Sequence, residues 1–376
     1  MTDFLPQDWE AAMLVGRLDA GAGPVPIVVR QGRVFDVSAS VPTVSALLDG
    51  DPLPAGKDLG SIEDLPLAPA WAEASNLRLL APIDLQCIKA AGVTFAISAI
   101  ERVIEERARG DWAKAQGIRD GLAERVGADL RSVSPGSPEA ERLKEVLISD
   151  GLWSQYLEVA IGPYAEVFTK APVLSSVGWG DYVGVRSDSV WNNPEPEIVI
   201  VCNSRGMARG ATLGNDVNLR DLEGRSALLL GKAKDNNASC SVGPFIRLFD
   251  DSFTMDDVRQ AVVELTIEGE DNYRLEGQST MAEISRDPLE LIRQTLSEHQ
   301  YPDGFVLFLG TLFAPTQDRD EPGRGFTHKN GDLVCVSTPK LGRLENKVVS
   351  SKHAPPWTMG IGALMASLAE RGLLRA

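Results

Sequence analysis

The chain has 376 residues, 43% hydrophobic and 24% charged, which leaves room for a large core in an ordinary globular protein. Its 37 basic residues face 53 acidic ones, a formal charge of −16, which argues against nucleic acid or an anionic membrane as a partner. Four scattered cysteines with no Cys-x-x-Cys pair, no signal-peptide pattern and no apolar run of membrane-spanning length point to the cytoplasm.

Residues 1 to about 50 read as short strands between Gly-rich turns, at 11–18, 26–30 and 33–37, followed by a short helix over 42–48. The stretch 49–69 is rich in Pro, Gly and acids and reads as a linker. A small N-terminal domain over 1–75 and a catalytic domain over 76–376 are therefore expected. A strand over 78–89 leads into a helical region from Ser98 to about Val126, interrupted near Arg107–Asp111. Another helix is expected over 138–152. Mixed charges on these helices read as solvated faces, Arg102 among them.

Beyond Trp153 the pattern becomes β, with strands at 166–170, 183–185, 195–202, 262–267, 304–311, 331–338 and 342–349. Helices are expected over 287–299 and 359–374. Strands far outnumber crossover helices, and no G-x-G-x-x-G lies between a strand and a helix, so neither a doubly wound sheet nor a Rossmann site is expected. The fold class is α+β, β-dominated after about residue 155.

The most informative stretch runs from Asn192 to Pro244. Glu195-Pro-Glu197 opens the apolar run Ile198–Cys202, and on a strand residues i and i+2 face the same way. Asp216 follows behind a turn and a second short apolar stretch, so a hairpin can return it to the two glutamates. Three converging carboxylates make a hard, all-oxygen site suited to Mg²⁺ or Mn²⁺. Lys234 comes next, among the small polar residues of Asp235-Asn-Asn-Ala-Ser-Cys240. The three histidines have no ligand spacing, so zinc is not expected.

Glu-x-Glu, the Asn-Asp-x-x-x-Arg-Asp of 215–221 and a lysine segment ending in Gly243-Pro244 together resemble the fumarylacetoacetase superfamily, in order and in spacing. The words Ala91-Gly-Val-Thr-Phe95, Asp188–Glu195, Lys232–Cys240 and Gly325-Phe-Thr-His-Lys329 bring the chain closest to its 2-keto-3-deoxy-pentonate dehydratases. The likeness covers about residues 80 to 376. It implies a mixed β-sandwich or roll, with Glu195, Glu197 and Asp216 holding Mg²⁺ and Lys234 reaching into the site. It also implies a homo-oligomer. Glu166, on a strand like the superfamily's Phe-x-Lys-Pro strand, reads either as a site residue or as a surface acid. Gly310-Thr311 resembles a substrate loop with Thr311 as donor, and Arg102 reads as a carboxylate partner or an exposed helical arginine.

The superfamily's hydrolases carry a histidine in an Asn-Tyr-x-x-His motif, whereas this chain reads Thr94-Phe-Ala-Ile-Ser98. Hydrolysis of fumarylacetoacetate is therefore not expected. The resemblance implies dehydration of a 2-keto-3-deoxy-pentonate of the xylonate or arabinonate type to 2,5-dioxopentanoate in non-phosphorylative pentose breakdown. Glu166 and Lys234 would share the proton transfers, and Ser98, Arg102 and Thr311 would contact substrate. Another 2-oxo-acid hydrolase or decarboxylase, or a non-catalytic sugar-acid binder, are the alternatives.

Overall fold

The structure is a computed structural model describing residues 3–72, 77–119, 130–131, 133–322 and 325–374. Its N-terminal part holds β1 (Leu14–Asp19), β2 (Val25–Arg30), β3 (Arg33–Asp36) and β4 (Lys57–Ser61). Next come β5 (Arg78–Leu80), β6 (Cys87–Gly92), β7 (Glu166–Ala171) and β8 (Asp181–Val185). The candidate metal motif spans β9 (Pro196–Cys202) and β10 (Ala208–Asp216), followed by β11 (Cys240–Leu248). The chain closes with β12 (Val262–Glu268), β13 (Arg274–Thr280), β14 (Phe305–Phe308), β15 (Leu333–Thr338) and β16 (Gly342–Ser350).

These strands form two sheets. The larger runs β4-β3-β2-β1-β11-β10-β9-β14-β6-β7 with β5 beside β1, and the smaller runs β13-β12-β15-β16-β8. Most pairs are antiparallel, with β14–β6 and β16–β8 parallel. The N-terminal strands β1 to β4 continue the larger sheet through the pairing of β1 with β11.

β9 explains why its sequence is apolar without alternation. Ile198, Ile200 and Cys202 point into one core, with Leu265, Val336 and Leu344 of the smaller sheet. Val199 and Val201 point into another, with Val15, Ile88 and Phe308. A strand buried on both faces carries a continuous hydrophobic run, unlike a strand with one wet side.

Three helices open on side-chain caps. Thr43 caps Val44–Asp49, Ser137 caps Pro138–Ser149 and Asp287 caps Pro288–Leu296 through side-chain oxygens. The long helical region is broken at Arg109, inside the interruption expected near 107–111. A helix spans Ala96–Ala108 and ends where Arg109 turns left-handed, and helix resumes over 112–119. The expected continuation over 120–126 lies outside the described residues. The stretch expected as a linker contains β4, an edge strand whose Lys57-Asp-Leu-Gly-Ser sequence carries no apolar alternation because little of it is buried. No helix of the described residues is long and apolar enough to cross a membrane.

Candidate metal centre and active site

The β9–β10 hairpin assembles the acidic motif. Glu197 lies opposite Gly214, and the backbone N–H of Asp216 donates to the Glu195 carbonyl at 3.1 Å. Glu195 sits one residue before β9, yet stays in register because its N–H donates to Asn215 Oδ1 at 3.1 Å. Oxygens of Glu195, Glu197 and Asp216 all fall within 4.8 Å of one another, and all three residues are buried. Gly310, at a positive φ after β14, donates its N–H to Glu197 Oε2 at 2.7 Å.

Two lysines reach this triad. Lys234 ends the short helix Leu230–Lys234, and its Nζ donates to Glu195 Oε2 and to Asp216 Oδ2, the latter at 3.2 Å. Lys170 on β7 lies fully buried, with Nζ 2.9 Å from Asp216 Oδ1. Lys170 also donates to the Lys234 carbonyl, so one lysine holds both the acid and the backbone of the other lysine.

Arg102 is not the exposed helical arginine that the mixed charges of its helix predict. It is buried, and its guanidinium pairs with Glu195, Glu105 and Glu223. Glu105 also meets Arg220 Nε at 3.3 Å, and Arg220 donates to Asn193 Oδ1 at 2.7 Å. Arg102, Ser98 and Thr311 line one cleft together with Glu101, Glu105 and Phe313. The hydroxyls of Ser98 and Thr311 are already engaged, donating to the Phe95 and Phe313 carbonyls at 2.8 Å each. Lys232 is exposed on the short helix of Lys234.

Glu166, the first residue of β7, lies half-buried opposite Gly92 of β6. A Cβ added at Gly92 would overlap the Glu166 carboxylate, so only glycine leaves room for that side chain. Gly92→Ala should therefore turn Glu166 out of its seat and lower activity nearly as far as Glu166→Gln. A melting temperature close to wild type, with activity lost, is the expected pair of readings; full activity in Gly92→Ala removes Glu166 from the site.

The charges of the cluster are unevenly matched. Ion pairs join four cations, Arg102, Lys170, Arg220 and Lys234, to four carboxylates, Glu105, Glu195, Asp216 and Glu223. Glu197 and Glu166 form no ion pair among the described residues, so ionising both leaves two negative charges in excess. Burial, then Asp216 and Glu195, push the Glu197 carboxyl well above its ordinary range. Burial and then Glu223 push Glu166 up to about 7. Burial also acts to raise Asp216, but Lys170 and Lys234 outweigh it and hold that carboxyl low. Three convergent carboxylates and this surplus of negative charge fit a divalent hard cation, which binds oxygen and restores the balance.

Residues 167–349 match the fumarylacetoacetate (FAA) hydrolase C-terminal family. A probable 2-keto-3-deoxyxylonate dehydratase of Haloferax volcanii is 33% identical over 195 residues, covering 52% of this chain and 64% of the relative. A 2-dehydro-3-deoxy-D-arabinonate dehydratase of Saccharolobus solfataricus is 32% identical over 182 residues, 48% of this chain and 57% of the relative. The aligned part is thus under two thirds of either relative's length. The fold is similar to that of 2-keto-3-deoxy-D-arabinonate dehydratase solved with magnesium and 2,5-dioxopentanoate. That likeness has a TM-score of 0.63 at 20% identity and covers 90% of this chain and 99% of the other. The mixed, sheet-dominated α+β architecture expected from the sequence is the one that the structure and this neighbour share.

Lys170, Glu105, Glu223 and Arg220 are the members of the cluster that sequence reasoning left unassigned. A signal existed for two of them. Lys170 stands in the strand that resembles Phe-x-Lys-Pro, and Arg220 is the arginine of the Asn-Asp-x-x-x-Arg-Asp motif.

Proposed function

We propose that the protein is a Mg²⁺-dependent dehydratase of a 2-keto-3-deoxy-pentonate, releasing water to give 2,5-dioxopentanoate. The observation that carries this reading is the convergence of the Glu195–Glu197–Asp216 triad with Lys234 in one buried cluster containing no histidine among the described residues. The two curated relatives, both named as pentonate dehydratases, support the substrate class.

Glu195, Glu197 and Asp216 would hold the cation. When bound, it supplies Lewis acidity toward the carboxylate and keto oxygens of a 2-oxo acid, which makes the C3 protons more acidic. Glu166, half-ionised near neutral pH on the strand that also carries Lys170, takes a C3 proton. Lys234 donates toward the departing C4 hydroxyl, which leaves as water. The resulting 5-hydroxy-3-enoate becomes 2,5-dioxopentanoate through the enol formed when it loses a proton at C5 and gains one at C3. Arg102 binds and orients the substrate from the cleft side, where Ser98 and Thr311 shape the wall. Ser98 supplies no water-activating base, in keeping with elimination in place of hydrolysis.

Purified protein incubated with racemic 2-keto-3-deoxy-pentonate and Mg²⁺ should form 2,5-dioxopentanoate, and excess EDTA should abolish it. Turnover of an acylpyruvate with no dehydration would overturn the reading. The pH profile gives a second check. A base held near pKa 7 works only when ionised, so kcat/KM should rise with pH through about 7 and level above it. Glu166→Gln should remove that limb with the activity. The sign for stability is opposite. A carboxyl raised from 4.5 binds its proton more tightly in the folded state, so its stabilisation is complete below about 4.5 and is lost as pH rises through 7.

A further inference from the structure

Five arginines are buried among the described residues: Arg17, Arg102, Arg220, Arg247 and Arg286. Four of them hold carboxylates. Arg102 has three, Arg220 has Glu105, Arg247 has Asp8 and Arg286 has Glu290. The buried lysines, Lys170 and Lys234, share Asp216. Arg17 is the exception. It stands on β1, is 6% exposed, and forms no ion pair among the described residues.

Its Nη1 donates to the carbonyls of Ala81 at 3.3 Å and Ile83 at 2.5 Å, and its Nε and Nη2 meet no acceptor among the described residues. The two carboxylates whose charge reaches it, Asp84 and Asp19, are engaged elsewhere. Asp84 accepts from the backbone N–H groups of Val44, Ser45 and Leu85, and Asp19 from those of Gly21 and Gly23. Burial strips hydration from this cation, and two carbonyls with the charges of Asp84 and Asp19 offset that cost only in part.

Arg17 does face open space. It lines a cleft between the strand ends and the segment Pro355–Met359, which shares no lining residue with the cleft of Ser98, Arg102 and Thr311. Ser176 and Asn237 supply polar walls, and Leu174, Trp357 and Met359 supply apolar ones. Asp181 lines it too, tied to Arg78 at 3.5 Å.

We infer that this cleft binds a small organic monocarboxylate, with its carboxylate on the free edge of Arg17 and its carbon body against Trp357. The planar fork of a guanidinium matches a carboxylate in two parallel hydrogen bonds. A single arginine balances one negative charge, and Asp181 on the same wall repels a second. A dianion such as phosphate is therefore the poorer ligand, and the apolar wall favours a short carbon chain.

The test uses the whole protein in EDTA at fixed ionic strength, with butyrate followed by saturation-transfer NMR. Saturable binding of butyrate is expected, tighter than that of inorganic phosphate. Arg17→Gln should weaken it about tenfold or more, the scale of lost charge-assisted hydrogen bonds. Asp181→Asn should tighten it, and this variant carries the test if Arg17→Gln fails to fold. Lys234→Met, in the metal centre, should leave butyrate binding unchanged, so a failure of the proposed dehydration would not touch this result. The inference is overturned by absent saturation in the wild type or by tighter binding of phosphate. Indifference to both Arg17→Gln and Asp181→Asn, or loss of binding in Lys234→Met, overturns it equally.

Discussion

Lys234→Met should lower turnover of a 2-keto-3-deoxy-pentonate by about 10²–10⁴-fold, the usual cost of losing one positioned proton-transfer group. The substitution keeps the length and apolar stem of the side chain, so the short helix Leu230–Lys234 keeps its packing. It removes the cation shared by Glu195 and Asp216. Asp216 retains Lys170, and Glu195 retains Arg102, so neither carboxylate is stranded. Exchange of the C3 protons with deuterated water, read by NMR, separates the roles. Lys234→Met should still exchange them while failing to eliminate water, and Glu166→Gln should lose exchange. Exchange lost in Lys234→Met and kept in Glu166→Gln would reverse the two assignments. Undiminished turnover in Lys234→Met would remove the lysine from the chemistry.

Glu197→Gln should have effects of opposite sign with and without the cation. Glu197 is buried, has no ion-pair partner among the described residues, and faces Asp216 and Glu195. Without metal the wild-type carboxyl escapes that repulsion by holding a proton. A neutral amide escapes it without one, so the metal-free variant should melt at or above the wild-type temperature. With Mg²⁺ added the order should invert. Wild type should gain stability as the cation binds the folded state, and the variant should gain much less. Affinity should fall by at least the roughly 10–100-fold that follows loss of an outer-shell partner, since this residue would be a ligand itself. Thermal melts across a Mg²⁺ series read both effects. Equal Mg²⁺-dependent shifts in the two proteins would displace the cation from this triad.

The triad was legible because its meaning is local. Glu195 and Glu197 share one face of a strand and Asp216 returns through a single hairpin, so periodicity and turn length suffice. Arg102 was not legible, because its partner Glu195 lies 93 residues away and the surrounding Glu and Arg residues of its helix read as a wet face. Packing of that helix over the triad converts the same charges into a buried network. Glu105 and Glu223 escaped for the same reason, being acids whose role depends on which arginine tertiary contact delivers. Many strand positions were readable, whereas β4, β11 and β13 were not; β4 is an exposed edge strand that owes its conformation to β3 and not to its own side chains. The order of strands in the sheets also lies beyond periodicity. It is set by pairings such as β1 with β11, which join segments far apart in the chain.

The two-faced burial of β9 also decides how the centre can come apart. Ile198 to Cys202 serve as the joint between two hydrophobic cores, each side chain fully buried and each Ile or Val worth about 1.5–3 kcal/mol. Glu197 belongs to that joint and Glu195 abuts it. Loosening their backbone would open both cores at once, so they belong to the unit whose opening free energy approaches that of the whole molecule. Their carboxylates are held in place before any ion arrives. Cation exchange must therefore proceed through side-chain motion at the cleft, where Arg102 can release Glu195, and not through breathing of the strand.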